Sequence, residues 1–439
     1  MSMDSQQCWT SLWRLNNCPA TWQNWHPADL TPFAPRKREL AARCTVWYHT
    51  VQSIFKINPN DSEVLPVSRN FSGSTTVLLI AAIGLAAGCA TTKSDFNAET
   101  LAASRAPAMS VAIQQPDIIV AVSPVRQTMQ IGGSIPTLLG AGISAIQDGR
   151  YAVRIRETLN GYDGNAFFES RLRERMNQTA GRDIIRVQPF STAAGYHNAR
   201  EALQARLDGL RRGGADLVLD FDLSYGIYGP EGLLATRIEG EATDLQTGKI
   251  LWRNTISTYS MDVYADMRWR DPMQRMSPTL LSPRFTSAED AVNQWTDDGG
   301  ARLKQHFEQS VERAIAAVLT DLGLEETAEG RYVLGMQALL EKEYAAAEAY
   351  LARARELAPH LPEAGNALAV AKARNKNPEE AVQIAEAVAL EHPDYLPAQY
   401  NLAWFYAVEL NNPEKGRPYF DKAVSLGASP GRKLEKAMR

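Results

Sequence analysis

The chain has 439 residues, room for two or three domains. Its formal charge is nearly balanced at −4, which argues against the strongly basic face of a nucleic-acid binder. Its four cysteines are Cys8, Cys18, Cys44 and Cys89, so the long body after Cys89 can build neither a disulfide nor a thiolate metal site.

In chain order, residues 1–66 come first. They crowd Trp9, Trp13, Trp22, Trp25 and Trp47 together with three of the cysteines, and they hold no sustained helical or strand period. They are expected to be either upstream of a true start near Val67 or a disordered extension. In the second case the next segment would be an uncleaved anchor.

Residues 67–88 read as an export signal. Arg69 supplies the basic end and Val77–Ala87 the apolar stretch; Ala86, Ala87 and Gly88 are small residues leading to Cys89. The apolar run is too short for the ~20 residues of a comfortable membrane span. Leu85-Ala86-Ala87-Gly88-Cys89 resembles a bacterial lipobox, although its leucine stands four residues before the cysteine where three is commoner. The resemblance implies cleavage before Cys89 and acylation of its thiol with chains such as palmitate. Several acyl chains anchor a body stably at ~0.8 kcal/mol per buried CH₂. With Ala90 rather than Asp following, it also implies the periplasmic side of the outer membrane.

Residues 89–108 are small and polar and are expected to form a flexible tether. From 109 to 325 the pattern mixes strands and helices. Ser110–Val122 is a strand candidate interrupted by Pro116, and Ile135–Ile146 a helix starting after Ser134. Asn165–Met176 and Arg200–Leu210 have amphipathic helical spacing, and Ile184–Val187 reads as a short strand. Asp216–Tyr225, Leu234–Thr243 and Lys249–Thr258 alternate with period two, as half-buried strands of a sheet do. The last two are joined by Asp244-Leu245-Gln246-Thr247-Gly248, where Gly248 suits a turn with positive φ. Ile250, Trp252 and Ile256 are expected on one face. Residues 259–300 read as irregular, and Arg302–Leu322 as a closing helix. The expectation is an α+β domain with a mixed or antiparallel sheet and flanking helices. The run from the Ala215–Leu223 strand through the Asp244–Gly248 hairpin to the closing helix resembles a group of envelope lipoproteins. The group comprises the curli secretion lipoprotein, the penicillin-binding-protein activators and the TolB N-terminal fold, and it implies a non-catalytic partner-binding module. Asp244–Trp252 also resembles one turn of a quinoprotein propeller blade, but the unit occurs once and a propeller needs several.

Residues 329–427 repeat. Ala347 to Ala381 and Pro359 to Pro393 are each 34 residues apart, the period of tetratricopeptide (TPR) units, with one extra residue near Asn411-Asn412. Asn377-Pro378-Glu379 and Asn412-Pro413-Glu414 mark helix starts, since proline suits a first helical position. Gly335, Ala369 and Ala403 let paired helices approach closely. The chain thus resembles the TPR family over three units, without its consensus tryptophan, and this all-α block would follow the α+β domain. Residues 428–439 look too short for a full capping helix. The resemblance implies a concave wall on which Tyr332, Asn366 and Tyr400 are equivalent, as are Met336, Val370 and Trp404. This stripe could grip a peptide or helix of a protein partner. The alternative is that Met336, Val370 and Trp404 pack between helices or against the preceding domain.

The sequence carries no catalytic or metal-binding motif. No two of His26, His49, His197, His306, His360 and His392 have helical metal-ligand spacing. Asp220, Asp222, Glu239 and Glu241 share neighbouring strands, yet a solvated face balanced by Arg237, Lys249 and Arg253 accounts for them. Ser134 and Ser144 sit in no nucleophile elbow. No catalytic residue, metal or cofactor is expected. The functional expectation is a lipid-anchored interaction or scaffold protein of envelope assembly, secretion or cell-wall synthesis. Rivals are a homo-oligomeric structural component of a secretion or pore-associated assembly and a cell-wall-acting enzyme.

Overall fold

The computed structural model describes residues 95–113, 115, 117–122, 138–190, 199–229, 231–267 and 287–439, all within one compact unit, Cys89–Arg439. Residues 1–66, the 67–88 signal and Cys89 lie outside the described residues.

The alternating run after Ala215 forms the central strand. Leu217, Leu219, Phe221, Leu223 and Tyr225 are buried, while Asp220, Asp222 and Ser224 between them stay partly open. This is the period-two burial of a pleated strand. In chain order the described elements are α1 (Ala98–Ala103), β1 (Pro107–Ile113), β2 (Ile119–Ala121), α2 (Leu138–Leu159), α3 (Gly164–Ala180), β3 (Ile185–Arg186), α4 (Ala199–Arg212), β4 (Leu217–Tyr228), β5 (Leu233–Asp244), β6 (Ile250–Tyr259), α5 (Ala288–Thr296) and α6 (Ala301–Asp321). The strands make a mixed sheet in the order β3-β1-β4-β5-β6. β1 and β2 run parallel to β4, and β5 and β6 follow as antiparallel neighbours.

β1 and β2 occupy the same side of β4 and act as one interrupted strand. In the gap the Gln115 carboxamide stands in for the ladder: Nε2 donates to the Tyr225 carbonyl at 2.9 Å and Oε1 accepts from its N–H at 3.1 Å. The interruption thus leaves neither main-chain polar group of Tyr225 unpaired.

One sheet face is covered by α3, through Phe168, Leu172 and Met176, and by α6, through Phe307, Val311 and Ile315. The other carries a smaller cluster of Ala108, Val218 and Leu245 under Leu207 and Leu210 of α4. Leu203, expected on that stripe, is 38% exposed. Trp252 and Ile256 are buried together, but Ile250 is 36% exposed. A register shift at Ala242/Thr243 pairs Thr243 with Ile250 and leaves Leu251 unopposed, which breaks the alternation between Ile250 and Trp252. The Asp244–Gly248 turn forms as expected, with Gly248 at φ +70 and the Asp244 carboxylate accepting from the Gln246 N–H at 2.7 Å.

The tether expected over 89–108 is corrected from Asp95 onward. Phe96 and Leu101 are buried in the main core, and Asn97 caps α1. The Asp95 N–H donates to the Leu251 carbonyl at 2.9 Å, and β1 already begins at Pro107. Small polar composition concealed a segment held by two apolar side chains. The short helix α5 was also missed within the region read as irregular.

Next comes an all-α, TPR-like run of three helix pairs: α7 (Ala328–Glu341) with α8 (Tyr344–Leu357), α9 (Pro362–Arg374) with α10 (Pro378–Glu391), and α11 (Leu396–Trp404) with α12 (Pro413–Ser425). The first helices of the pairs have their N-caps at Thr327, Leu361 and Tyr395, two steps of 34 residues. Asn377 and Asn412 cap α10 and α12 with proline in the first turn, as the Asn-Pro-Glu signature predicts. Their spacing is 35, and the surplus residue is absorbed in a π-helical turn, Phe405–Glu409, that continues α11. Gly335, Ala369 and Ala403 are all buried at equivalent places. Residues 428–439 do more than trail: α13 (Arg432–Ala437) buries Leu434 and Met438 against the last pair.

Candidate functional site

The first helices of the second and third pairs, α9 and α11, form a wall that is occupied by the chain itself. After β6 ends at Tyr259, residues 261–267 (Met-Asp-Val-Tyr-Ala-Asp-Met) run along α9 and α11 as a strap without helix or strand. The Val263 carbonyl accepts from both Asn366 Nδ2 and Asn401 Nδ2, each at 2.9 Å. The Ala265 N–H donates to Asn401 Oδ1 at 2.7 Å, and Asn401 Nδ2 also reaches Asn366 Oδ1 at 2.8 Å. Arg374 donates to the carbonyls of Ala265 at 2.6 Å and Met267 at 3.1 Å. Met267 N–H returns to the Tyr264 carbonyl at 3.1 Å, closing a turn.

Side chains are read as well. The Tyr264 ring meets Tyr400 edge-on at 5.2 Å, and the Tyr400 hydroxyl donates to Asp266 Oδ2 at 2.9 Å. Asp266 Oδ1 is buried without a hydrogen-bond partner. Burial pushes the Asp266 carboxyl up to about 6, against the Tyr400 hydrogen bond, a hydrogen bond from its own main-chain N–H and the charges of Arg374 and Lys433, which pull it down.

Beside the strap lies a cavity of about 440 Å³ between the repeats and the sheet domain, lined among others by Trp295, Arg302, His306, Arg313, Tyr332 and Tyr400. Arg302 lies over the Trp295 ring at 5.5 Å and Arg313 over Tyr332 at 5.6 Å. Arg313 also pairs with Glu363 at 3.5 Å. Burial lowers the pKa of His306, which packs edge-on against Trp295, and the two arginines lower it further.

The six residues expected on the wall are thus divided. Asn366 and Tyr400 hold the strap. Tyr332 is buried and lines the cavity, and Val370 lines a smaller hollow of about 220 Å³ with Ala265 and Arg374. Met336 packs partly buried against the core. Trp404 is buried: its Nε1 donates to Glu409 at 2.9 Å, and its ring lies under the Lys433 ammonium at 4.9 Å. Asn401 and Arg374 were not anticipated. Asn401 stands one position past the Tyr332/Asn366/Tyr400 column, so a 34-residue register passes over it. The legible signal was the asparagine within the apolar run of α11.

The strand carboxylates find basic partners. Asp220 is bound by Arg206 at 2.6 Å and Glu241 by Arg253 at 2.7 Å. Lys249 pairs with Asp95 at 2.6 Å rather than with the sheet carboxylates it was expected to balance. Among the described residues, no three His, Cys, Asp or Glu side chains converge as a metal site, and no helix is long and apolar enough to cross a membrane.

No protein-family model matches the chain, and no curated protein matches it. Among solved structures it is similar to YrrB, described as a TPR protein with an unusual peptide-binding site. The identity is 24% over 34% of this chain and 77% of that one, with a TM-score of 0.25. It is also similar to the PelC dodecamer from Paraburkholderia phytofirmans in two crystal forms. Identities are 12% and 13%, covering 50% and 51% of this chain and 90% and 93% of that one, with TM-scores of 0.20 and 0.17. The reading of the site therefore rests on its own geometry.

Proposed function

We propose that this chain is an exported, lipid-anchored adaptor of a bacterial envelope, acting without catalysis, whose helical repeats take short non-helical segments of protein partners. One observation carries the binding half: Asn366, Asn401 and Arg374 present their polar atoms to main-chain groups, satisfying three carbonyls and one N–H of a peptide segment. A wall that reads main chain in this way accepts a peptide on backbone hydrogen bonds and leaves specificity to a few side-chain pockets. The anchoring half rests on sequence: a basic residue, a short apolar run and small residues before a lone Cys89. The periplasmic face of the outer membrane follows from Ala90 on the lipobox resemblance, and envelope assembly, secretion or cell-wall synthesis are the settings such an adaptor fits.

The test has two arms. Cells fed an alkyne fatty acid should label the wild-type chain and not Cys89→Ser, and the label should fractionate with outer membrane. A photocrosslinking residue at the partly buried Met336 of α7 should join the chain to a protein, and the adduct should fall when Asn366 and Asn401 are both replaced by alanine. An unlabelled wild-type chain would end the anchoring half. A crosslink indifferent to the double replacement would end the binding half.

A further inference from the structure

The strap that lies on the wall of α9 and α11 is bound as a ligand is bound. Its main chain is held by side chains of two successive repeat units, and one aromatic and one carboxylate are read by Tyr400. Yet it belongs to the sheet domain, where it continues β6. It is also an imperfect occupant. Val263, Ala265 and Met267 are buried, which favours docking, but Asp266 carries into the wall an oxygen that no hydrogen-bond donor of the wall meets. A buried acceptor left unpaired forfeits its hydration without return. A segment selected only to complete a core would carry a neutral or fully bonded group there.

We propose that Met261–Met267 is a built-in plug, a tethered stand-in that a partner segment of the same chemistry displaces from the wall formed by Asn366, Arg374, Tyr400 and Asn401. The chemistry is an aromatic residue, a small residue and a carboxylate or its amide in a tight turn, after the pattern Tyr264-Ala265-Asp266. This inference rests on the reading of the repeats as a peptide-taking wall and adds what they take and what keeps them closed. Because the plug is tethered, its effective concentration at the wall is about 1 mM. A free segment with an intrinsic Kd of about 0.1 mM then binds about tenfold more weakly than to an open wall. A partner segment that places an amide where Asp266 places its bare oxygen competes better than the plug does.

The test uses the full chain in detergent and a fluorescein-labelled synthetic peptide of residues 260–267. Ala265→Pro in the chain removes the N–H that Asn401 accepts while leaving every wall residue in place. Asp266→Asn keeps the acceptor for Tyr400 and removes the buried charge. The peptide should bind Ala265→Pro about tenfold tighter than wild type and Asp266→Asn more weakly than wild type. Adding Asn366→Ala and Asn401→Ala to Ala265→Pro should abolish binding. On the wild type itself, excess peptide should speed hydrogen exchange at the chain's own Ala265, a readout that holds even if Ala265→Pro folds poorly. Equal affinity for wild type and both strap variants overturns the plug and leaves the peptide-taking wall standing. No binding to any of them, with wall crosslinks still formed in cells, overturns the plug's chemistry alone. No binding and no crosslinks removes both.

Discussion

At the scale of single residues, Asp266 makes the strap responsive to pH. The groups facing it are the Tyr400 hydroxyl on α11, the Arg374 guanidinium on α9 and the Lys433 ammonium on α13. Burial outweighs these three together with the Asp266 main-chain N–H, and pushes its carboxyl up to about 6, above the ordinary 3.8. A raised carboxyl pKa in the docked state means that the docked strap binds a proton more tightly than the released one. Docking is therefore strongest below about pH 4, weakens as the pH rises through 4 to 6, and is flat above that. With solvent screening discounted, the change is about 1–2 kcal/mol. Hydrogen exchange at the Ala265 amide should accelerate from pH 4.5 to pH 7 after correction for the intrinsic rate, and Asp266→Asn should remove that dependence; a wild-type profile as flat as the variant's would refute it. A second residue acts by hydrogen bonding alone. Ser310 on α6 bridges Thr236 Oγ1 at 3.0 Å and Thr258 Oγ1 at 2.5 Å, all three buried between helix and sheet. Ser310→Ala takes the donor from the Thr236 hydroxyl, while Thr258 Oγ1 keeps the Ser310 carbonyl at 3.2 Å, and should lower unfolding stability by about 1–3 kcal/mol in urea titration.

At the scale of elements, the junction between α6 and α7 depends on a missing side chain. A Cβ on Gly330 would lie 2.2 Å from Thr320 Oγ1 and 2.6 Å from the Ala316 carbonyl oxygen, a main-chain atom that cannot swing aside. Helix propensity alone favours Gly330→Ala by about 1 kcal/mol. Overpacking costs about 1–3 kcal/mol, so the variant should be destabilised and its melting temperature should fall; a rise would show that the two helices have slack. The same contrast between local signal and tertiary contact explains what could be read in the sequence. The period-two runs of β4 and β5 and the 34-residue spacing are local patterns, and they located the strands and the helix pairs closely. The π-helical turn was visible only as a surplus residue near Asn411. Helix α5 had a capping signal, Ser287 with Asp290, which the structure uses at 3.1 Å, but the helix is too short to establish a period. The strap had no signal of its own. Its conformation is dictated by Asn366, Arg374 and Asn401, more than a hundred residues further along the chain, and no pattern within residues 261–267 encodes that meeting.

At the scale of the molecule, the sheet domain and the repeats share one core. The buried cluster runs from Leu219 and Trp252 through Phe307, Ile315 and Leu319 of α6 to Val333 and Leu351 of the first helix pair, and on to Phe405 and Leu434. α6 packs on β5, β6 and α7 at once. Trp252 Nε1 and Asn254 Nδ2 both donate to Asp321 Oδ2 at 2.7 Å, fastening its last turn to the sheet. The strap adds a second crossing, from β6 to α9 and α11. Solenoid repeats ordinarily depend on their neighbours alone, so a block detached from other structure unfolds unit by unit. Here the first unit's neighbour is a helix of the sheet domain, and the second and third units hold that domain's strap. Calorimetry of the chain should therefore show a single transition spanning sheet and repeats, with calorimetric and van't Hoff enthalpies in agreement. Asn366→Ala, a replacement inside a repeat, should lower the temperature at which the Trp252 environment melts as well as that of the helices. Two resolved transitions, or a tryptophan signal indifferent to that replacement, would mean that the repeats report nothing to the sheet. Coupling through α6 and the strap gives displacement of the plug a route to the face of the sheet domain.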